Sequence, residues 1–227
     1  ELSKGYRVLA PDLPGFGFSD RPAGAGYGYE LFAGAVEKFL NAKGARRVSL
    51  IGNSMGGGVS IRFTLDHPER VRKLVLVDSA GVKMNPHLGL TLLGVPGLNS
   101  FMSSINNRFF MSRILKRFCF YDGSVVTREK AEMYLLPFRT RGAMAAAAAT
   151  INSIRPDFSE DDFKKIKAPV LIVWGEKDKI IYPAFATVFH RLIPGSKLVM
   201  IPKCGHLPQE EKPEEFNKIV SDFLSGG

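Results

Sequence analysis

Two spacings of apolar side chains alternate along the chain. Consecutive apolar residues, without the every-second-residue polarity of a half-exposed strand, run through Tyr6–Ala10 (YRVLA), Val48–Ile51 (VSLI), Lys73–Val77 (KLVLV), Pro169–Trp174 (PVLIVW) and Lys197–Ile201 (KLVMI). Such runs suit strands buried on both faces. Other stretches repeat at the helical period. Glu30–Asn41 sets Leu31, Phe32, Ala35, Phe39 and Leu40 on one stripe with Gly44 as a stop, Val59–Asp66 is halted by Pro68, and helices are predicted over Pro183–Leu192 and Pro213–Leu224. Strand followed by helix, repeated, predicts an α/β protein: a mostly parallel sheet with helices on both faces.

The rhythm breaks between residues 83 and 162. No convincing strand occurs there, whereas Leu98–Phe118, Thr127–Leu136 and Arg141–Ile154 read as helices, the last containing five alanines at 145–149. An inserted helical cap over 83–162 is expected, with residues 1–82 and 163–227 forming the core. Its Phe101, Met102, Phe109, Phe110, Met111 and Phe118 suit packing first, and also the binding of a small apolar or amphipathic substrate. The longest nearly uncharged apolar stretch, Leu88–Leu98, is too short to span a bilayer and is broken by glycines and a proline.

Charge adds one feature. The formal net charge is +9, and ten Lys or Arg residues against three acids fall within residues 83–155. No helix-turn-helix, RNP or zinc-finger pattern accompanies this surplus, so nucleic acid is not an expected partner. A solvated basic face is the simplest reading, with attraction of acidic substrates or weak membrane-surface contact through the cap as the functional alternative. Cys119 and Cys204 lie far apart, without CxxC spacing or a histidine cluster, which predicts free thiols, no zinc site and a cytoplasmic compartment.

The chemistry concentrates at Gly52-Asn53-Ser54-Met55-Gly56. A serine hydroxyl needs a neighbouring base to become a nucleophile, and a sharp strand-to-helix turn lifts it above the sheet while aiming helix N–H groups at a developing oxyanion. Ser54 is thus the candidate nucleophile and the Met55 N–H an oxyanion donor. Of four histidines, His67 ends a helix, and His87 and His190 sit in cap and helix contexts; His206 alone follows a strand and a glycine, in a loop at the strand's carboxyl end, where open α/β sheets bind ligands. The orienting acid should come from another strand end and precede the histidine. Asp178, four residues beyond Trp174, meets both conditions, Asp78 competes, and Glu176 lies too near its strand.

In order along the chain, Asp12-Leu-Pro-Gly-Phe-Gly-Phe-Ser19, the GNSMGG elbow, Trp174-Gly-Glu-Lys-Asp178 and Gly205-His206 resemble the α/β-hydrolase superfamily over nearly the whole length. The elbow is similar to that of the meta-cleavage-product hydrolases, which cut carbon–carbon bonds in vinylogous diketones, while LPQEEKPEEFN after His206 resembles the wider superfamily. The resemblance implies a serine hydrolase without metal or organic cofactor. Aspartate-nucleophile dehalogenases and epoxide hydrolases are excluded by serine at the elbow. Ester hydrolysis through an acyl-enzyme is the expected reaction; carbon–carbon hydrolysis and a non-catalytic ligand-binding role are the alternatives. The superfamily also implies earlier strands, one of them between the Tyr6–Ala10 and Val48–Ile51 strands and followed by a loop giving a second oxyanion donor, whose loss typically costs about 2.7–4 kcal/mol. The chain begins at Glu1, close to the first predicted strand. A gap in the sheet, and a longer protein extending about 50 residues upstream, are therefore expected.

Overall fold

Four parallel strands lie side by side in chain order: β1 (Val48–Asn53), β2 (Val71–Val77), β3 (Val170–Gly175) and β4 (Lys197–Ile201). The computed structural model describes residues 1–83, 107–154 and 158–226. Every residue of β3 is buried, as are five of the seven in β2, which is why neither strand shows polar alternation. β1 differs. Its residues alternate between exposed and partly covered, as an edge strand does, and Ile51 is 41% exposed.

Tyr6–Ala10, predicted as a strand, forms no strand, and Tyr6 and Val8 are exposed. A strand exists only where a neighbour takes up its N–H and C=O groups, and these residues meet none among the described ones. The segment is tied down by the Arg7 guanidinium, which donates to the Lys43 carbonyl at 3.1 Å, and by Leu9, which packs against the main core. Among the described residues β1 is therefore the outermost paired strand on that side of the sheet.

Helices α1 (Tyr29–Ala42) and α2 (Met55–Asp66) pack on each other, and α2 lies against β1 and β2. The main core joins Phe63, Leu74, Leu76, Ile172, Trp174 and Phe189 on one side of the sheet. On the other side α9 (Pro213–Ser225) covers Val75, Val77, Leu171 and Val173 with Phe216 and Val220. Burying side chains of this size stabilises by roughly 1.5–3 kcal/mol each. Helix α2 starts four residues before its predicted start, because three consecutive glycines, poor helix formers, obscure its first turn.

Between β2 and β3 the described chain is helical: α3 (Arg108–Ile114), a π-helical turn (Leu115–Cys119), α4 (Arg128–Leu135), α5 (Ala143–Ser153) and α6 (Glu160–Lys164). Asn107, Thr127 and Ser159 cap the starts of α3, α4 and α6, respectively, accepting from Phe110, Lys130 and Asp162 N–H groups. The expected core boundary at residue 162 falls inside α6, whose Phe163 belongs to the main core. Residues 98–106 of the predicted Leu98–Phe118 helix, with Phe101, Met102 and His87, lie outside the described residues. Helices α7 (Ala184–Leu192) and α8 (Pro208–Glu211) flank β4. Among the described residues no helix is long and apolar enough to cross a membrane. Both cysteines are free thiols.

Candidate active site

Each strand delivers one candidate group at its carboxyl end: Ser54 follows β1, Asp78 follows β2, Asp178 lies three residues past β3, and His206 lies beyond β4. In a parallel sheet these ends are on one edge, so the topology alone gathers the set.

Ser54 occupies the single residue between β1 and α2 with φ 55° and ψ −122°, a conformation that costs a side-chain-bearing residue about 1–3 kcal/mol. Three main-chain hydrogen bonds hold it: Ser54 N–H donates to Val77 O, and Ser54 O accepts from Gly57 and Ala80 N–H, each at 2.9 Å. Gly52 makes the tight turn sterically feasible, since a Cβ there would stand 2.3 Å from the Gly56 carbonyl oxygen; the same operation at Gly56 meets nothing within 4 Å. Met55 is the first residue of α2, so its N–H has no intrahelical acceptor.

Asp178 and His206 are 3% and 5% exposed. Asp178 Oδ2 and His206 Nδ1 are 2.7 Å apart, and Asp178 Oδ1 accepts from the N–H groups of Ile180 (2.7 Å) and Ile181 (3.1 Å). The acid therefore spends one oxygen on its own loop and the other on the imidazole, fixing the ring with Nε2 free of partners among the described residues. The fully buried Trp174 secures the loop by donating its indole N–H to Ile181 O at 3.1 Å. The Ser54 hydroxyl makes no hydrogen bond among the described residues; such bonds often tighten only with substrate present.

Asp78, the rival acid, does not take this role. It is fully buried, its Oδ1 accepts from Gly175 N–H at 3.0 Å, and it lies against Asp178. Burial first, and then the neighbouring Asp178 carboxylate, push its pKa well above the ordinary carboxylate range, so Asp78 holds its proton more tightly than an exposed aspartate does. Donor atoms of Asp78, Asp178 and His206 lie within 4.8 Å of one another, a spacing that could suit a small cation. The hydrogen bonds argue for a proton network instead, because Nδ1 faces the carboxylate that a metal would have to displace.

Asn53 was not singled out by sequence. Its side-chain amide donates to Val77 O at 3.2 Å and to His206 O at 3.0 Å, joining the elbow directly to the histidine loop. The second position of Gly-x-Ser-x-Gly carries no signal for this bond, because its partner is 153 residues away. The remaining described histidines lie elsewhere: His67 faces Glu37 at 3.7 Å, and His190 Nδ1 contacts Ser196 Oγ at 3.0 Å. The Asp12–Ser19 loop is internally braced, with Asp12 accepting from Phe18 N–H and Ser19 Oγ at 3.0 and 2.7 Å.

A strained serine at a strand–helix elbow and a buried acid–histidine pair, on one edge of a parallel sheet, define an α/β serine hydrolase. The sequence profile of the alpha/beta hydrolase fold matches residues 1–213, and the chain belongs to that family. It is 34% identical over 231 residues to the 2-hydroxy-6-oxo-2,4-heptadienoate hydrolase of Pseudomonas putida, covering 99% of this chain and 80% of that one. Lipase 1 of Psychrobacter immobilis is 30% identical, with 98% and 70% covered. The solved meta-cleavage product hydrolase CumD of Pseudomonas fluorescens superposes with a TM-score of 0.86 at 28% identity, over 98% of this chain and 81% of its own.

Proposed function

We propose that Ser54, His206 and Asp178 act as nucleophile, base and orienting acid, and that the bond cut is the carbon–carbon bond beside a ketone in an unsaturated diketo acid. The observation supporting the triad is the buried 2.7 Å contact between His206 Nδ1 and Asp178, tied to the elbow through Asn53. The carbon–carbon reading, placed second to ester hydrolysis on sequence grounds, moves first because the hydrolase from Pseudomonas putida aligns with 99% of this chain and CumD superposes on 98% of it.

In this reaction Ser54 Oγ attacks the ketone carbon as His206 Nε2 takes its proton, and the oxyanion accepts from Met55 N–H. Asp178 stabilises the imidazolium. Collapse of the tetrahedral intermediate breaks the carbon–carbon bond; the departing electron pair spreads into the conjugated carbonyl and is protonated by His206. Water, activated by the same imidazole, then releases the carboxylic acid. A carbon leaving group is viable only with that conjugated sink, which restricts the substrate class. With an ester the same steps expel an alkoxide, and the likeness to Lipase 1 supports this as the second reading.

Three assays decide. A fluorophosphonate probe is expected to label Ser54 and not a Ser54→Ala variant; 2-hydroxy-6-oxo-2,4-heptadienoate is expected to lose its dienolate absorbance faster than p-nitrophenyl butyrate is hydrolysed. No labelling of folded protein overturns the hydrolase reading, and turnover of the ester alone overturns the carbon–carbon preference.

A further inference from the structure

The turn carrying His206 is built into the helical insertion more than into the sheet it leaves. His206 N–H donates to Cys119 O at 2.8 Å, and a Cβ on Gly205 would stand 2.6 Å from that same oxygen. Leu207 is buried with Leu115, Phe120, Val126 and Ala131 of the insertion. The next two acids complete the junction. Glu210 accepts from the Tyr134 hydroxyl and pairs with Lys130 Nζ at 3.4 Å, both on α4.

Glu211, 8% exposed, accepts from three main-chain N–H groups: Gly205 at 2.6 Å, Asp122 at 2.7 Å and Tyr121 at 3.2 Å. A buried carboxylate is tolerated when donors replace its water. Here those donors come from two parts of the chain, the residue before His206 and the turn following Leu115–Cys119. From the sheet side, His206 is held only by Asp178 at Nδ1 and Asn53 at the carbonyl, among the described residues.

We infer that Glu211 is a positioning residue: its carboxylate clamps Tyr121–Asp122 to Gly205, so that the seating of the helical insertion sets where the His206 imidazole stands relative to Ser54. This rests on His206 being the base of the proposed reaction. Displacing a base by about 1 Å can lower turnover on the order of a hundredfold.

The test is Glu211→Gln in the full chain, which keeps the shape while presenting one acceptor oxygen and an NH2 group to three donors. Turnover per active site, counted by fluorophosphonate titration, is expected to fall about tenfold or more with KM changed less than about threefold. The Gly205, Tyr121 and Asp122 amides are expected to exchange hydrogen at least about tenfold faster. Faster exchange with unchanged turnover per site overturns the positioning role, and unchanged exchange at Tyr121 and Asp122 overturns the clamp. Should the variant not fold, the wild-type protein decides: one clamp requires the three amides to share one opening, and protections differing more than about tenfold overturn it. A wild-type protein that does not react with the probe defeats the hydrolase reading instead, and leaves the exchange measurement to judge the clamp.

Discussion

The side-chain amide of Asn53 donates to the main-chain carbonyl of His206 at 3.0 Å, so the residue before the proposed nucleophile holds the proposed base. The same amide reaches Val77 O, at the end of β2. Elbow, central strand and histidine loop are thereby fixed to one another by a group of four atoms.

Asn53→Ala removes both bonds. Turnover is expected to fall about tenfold, equivalent to about 1.4 kcal/mol of barrier, with an unfolding free energy lower by about 1–2 kcal/mol. Steady-state kinetics and urea denaturation on one preparation check this; a stability loss without a kinetic one would confine Asn53 to structure.

The two aspartates are expected to separate cleanly. Asp178→Asn leaves the ring's partner neutral and favours the wrong tautomer, lowering turnover by about 10³–10⁴. Asp78→Asn, already matching a protonated neighbour, is expected to cost less than tenfold, about 1.4 kcal/mol. Equal losses in a stopped-flow or steady-state comparison would show that both carboxylates serve the imidazole directly.

Asp78 also has a signature in stability. Its folded pKa is raised above the ordinary 3.8 by burial and by Asp178, so the folded protein keeps a proton that the unfolded chain releases. Its contribution is complete below that ordinary value and is lost as pH rises towards the folded pKa, at up to about 1.4 kcal/mol per pH unit. Asp78→Asn carries no such proton and is expected to gain on the wild type in urea midpoints as pH rises above the ordinary aspartate range. Parallel curves would contradict a protonated Asp78.

Burial, with the carboxylates of Asp178 and Glu210 nearby, pushes the Cys119 thiol up to about 12, and burial beside Glu211 and Asp78 raises Cys204 as well. Neither forms appreciable thiolate at pH 8. Ellman's reagent is expected to find both thiols only after denaturation, with native reaction slower by more than about a hundredfold; a fast native phase would place one thiol in contact with solvent.

Gly52→Ala would put a methyl group 2.3 Å from the Gly56 carbonyl oxygen, a main-chain atom that cannot swing aside. A destabilisation of about 2–4 kcal/mol is expected in thermal or urea unfolding. Gly56→Ala, with open space around it, is expected to cost little, less than about 1 kcal/mol.

Much of this fold was legible because strands β2 to β4 and helices α1, α7 and α9 carry their burial pattern in consecutive or periodic apolar residues. Ser54, His206 and Asp178 were legible as well, since each occupies a turn at a strand end that local sequence marks with glycine. Tyr6–Ala10 misled for the opposite reason: β-branched and aromatic composition states a willingness to pair, and pairing depends on a neighbour. The start of α2 was hidden by glycines whose low helix propensity is overruled by packing.

What the sequence determined by itself were local matters: the apolar periods, the strained elbow at Ser54, and the turns at strand ends that carry Asp178 and His206. Only the tertiary structure decided that Asp178 and not Asp78 meets His206, that Asn53 reaches the histidine carbonyl, and that Glu211 binds Gly205, Tyr121 and Asp122 at once. The physical reason is range. Turn strain and helix or strand period arise among residues a few positions apart, whereas a hydrogen bond or a shared proton in a buried site joins groups 28 to 153 positions apart, which nothing local encodes.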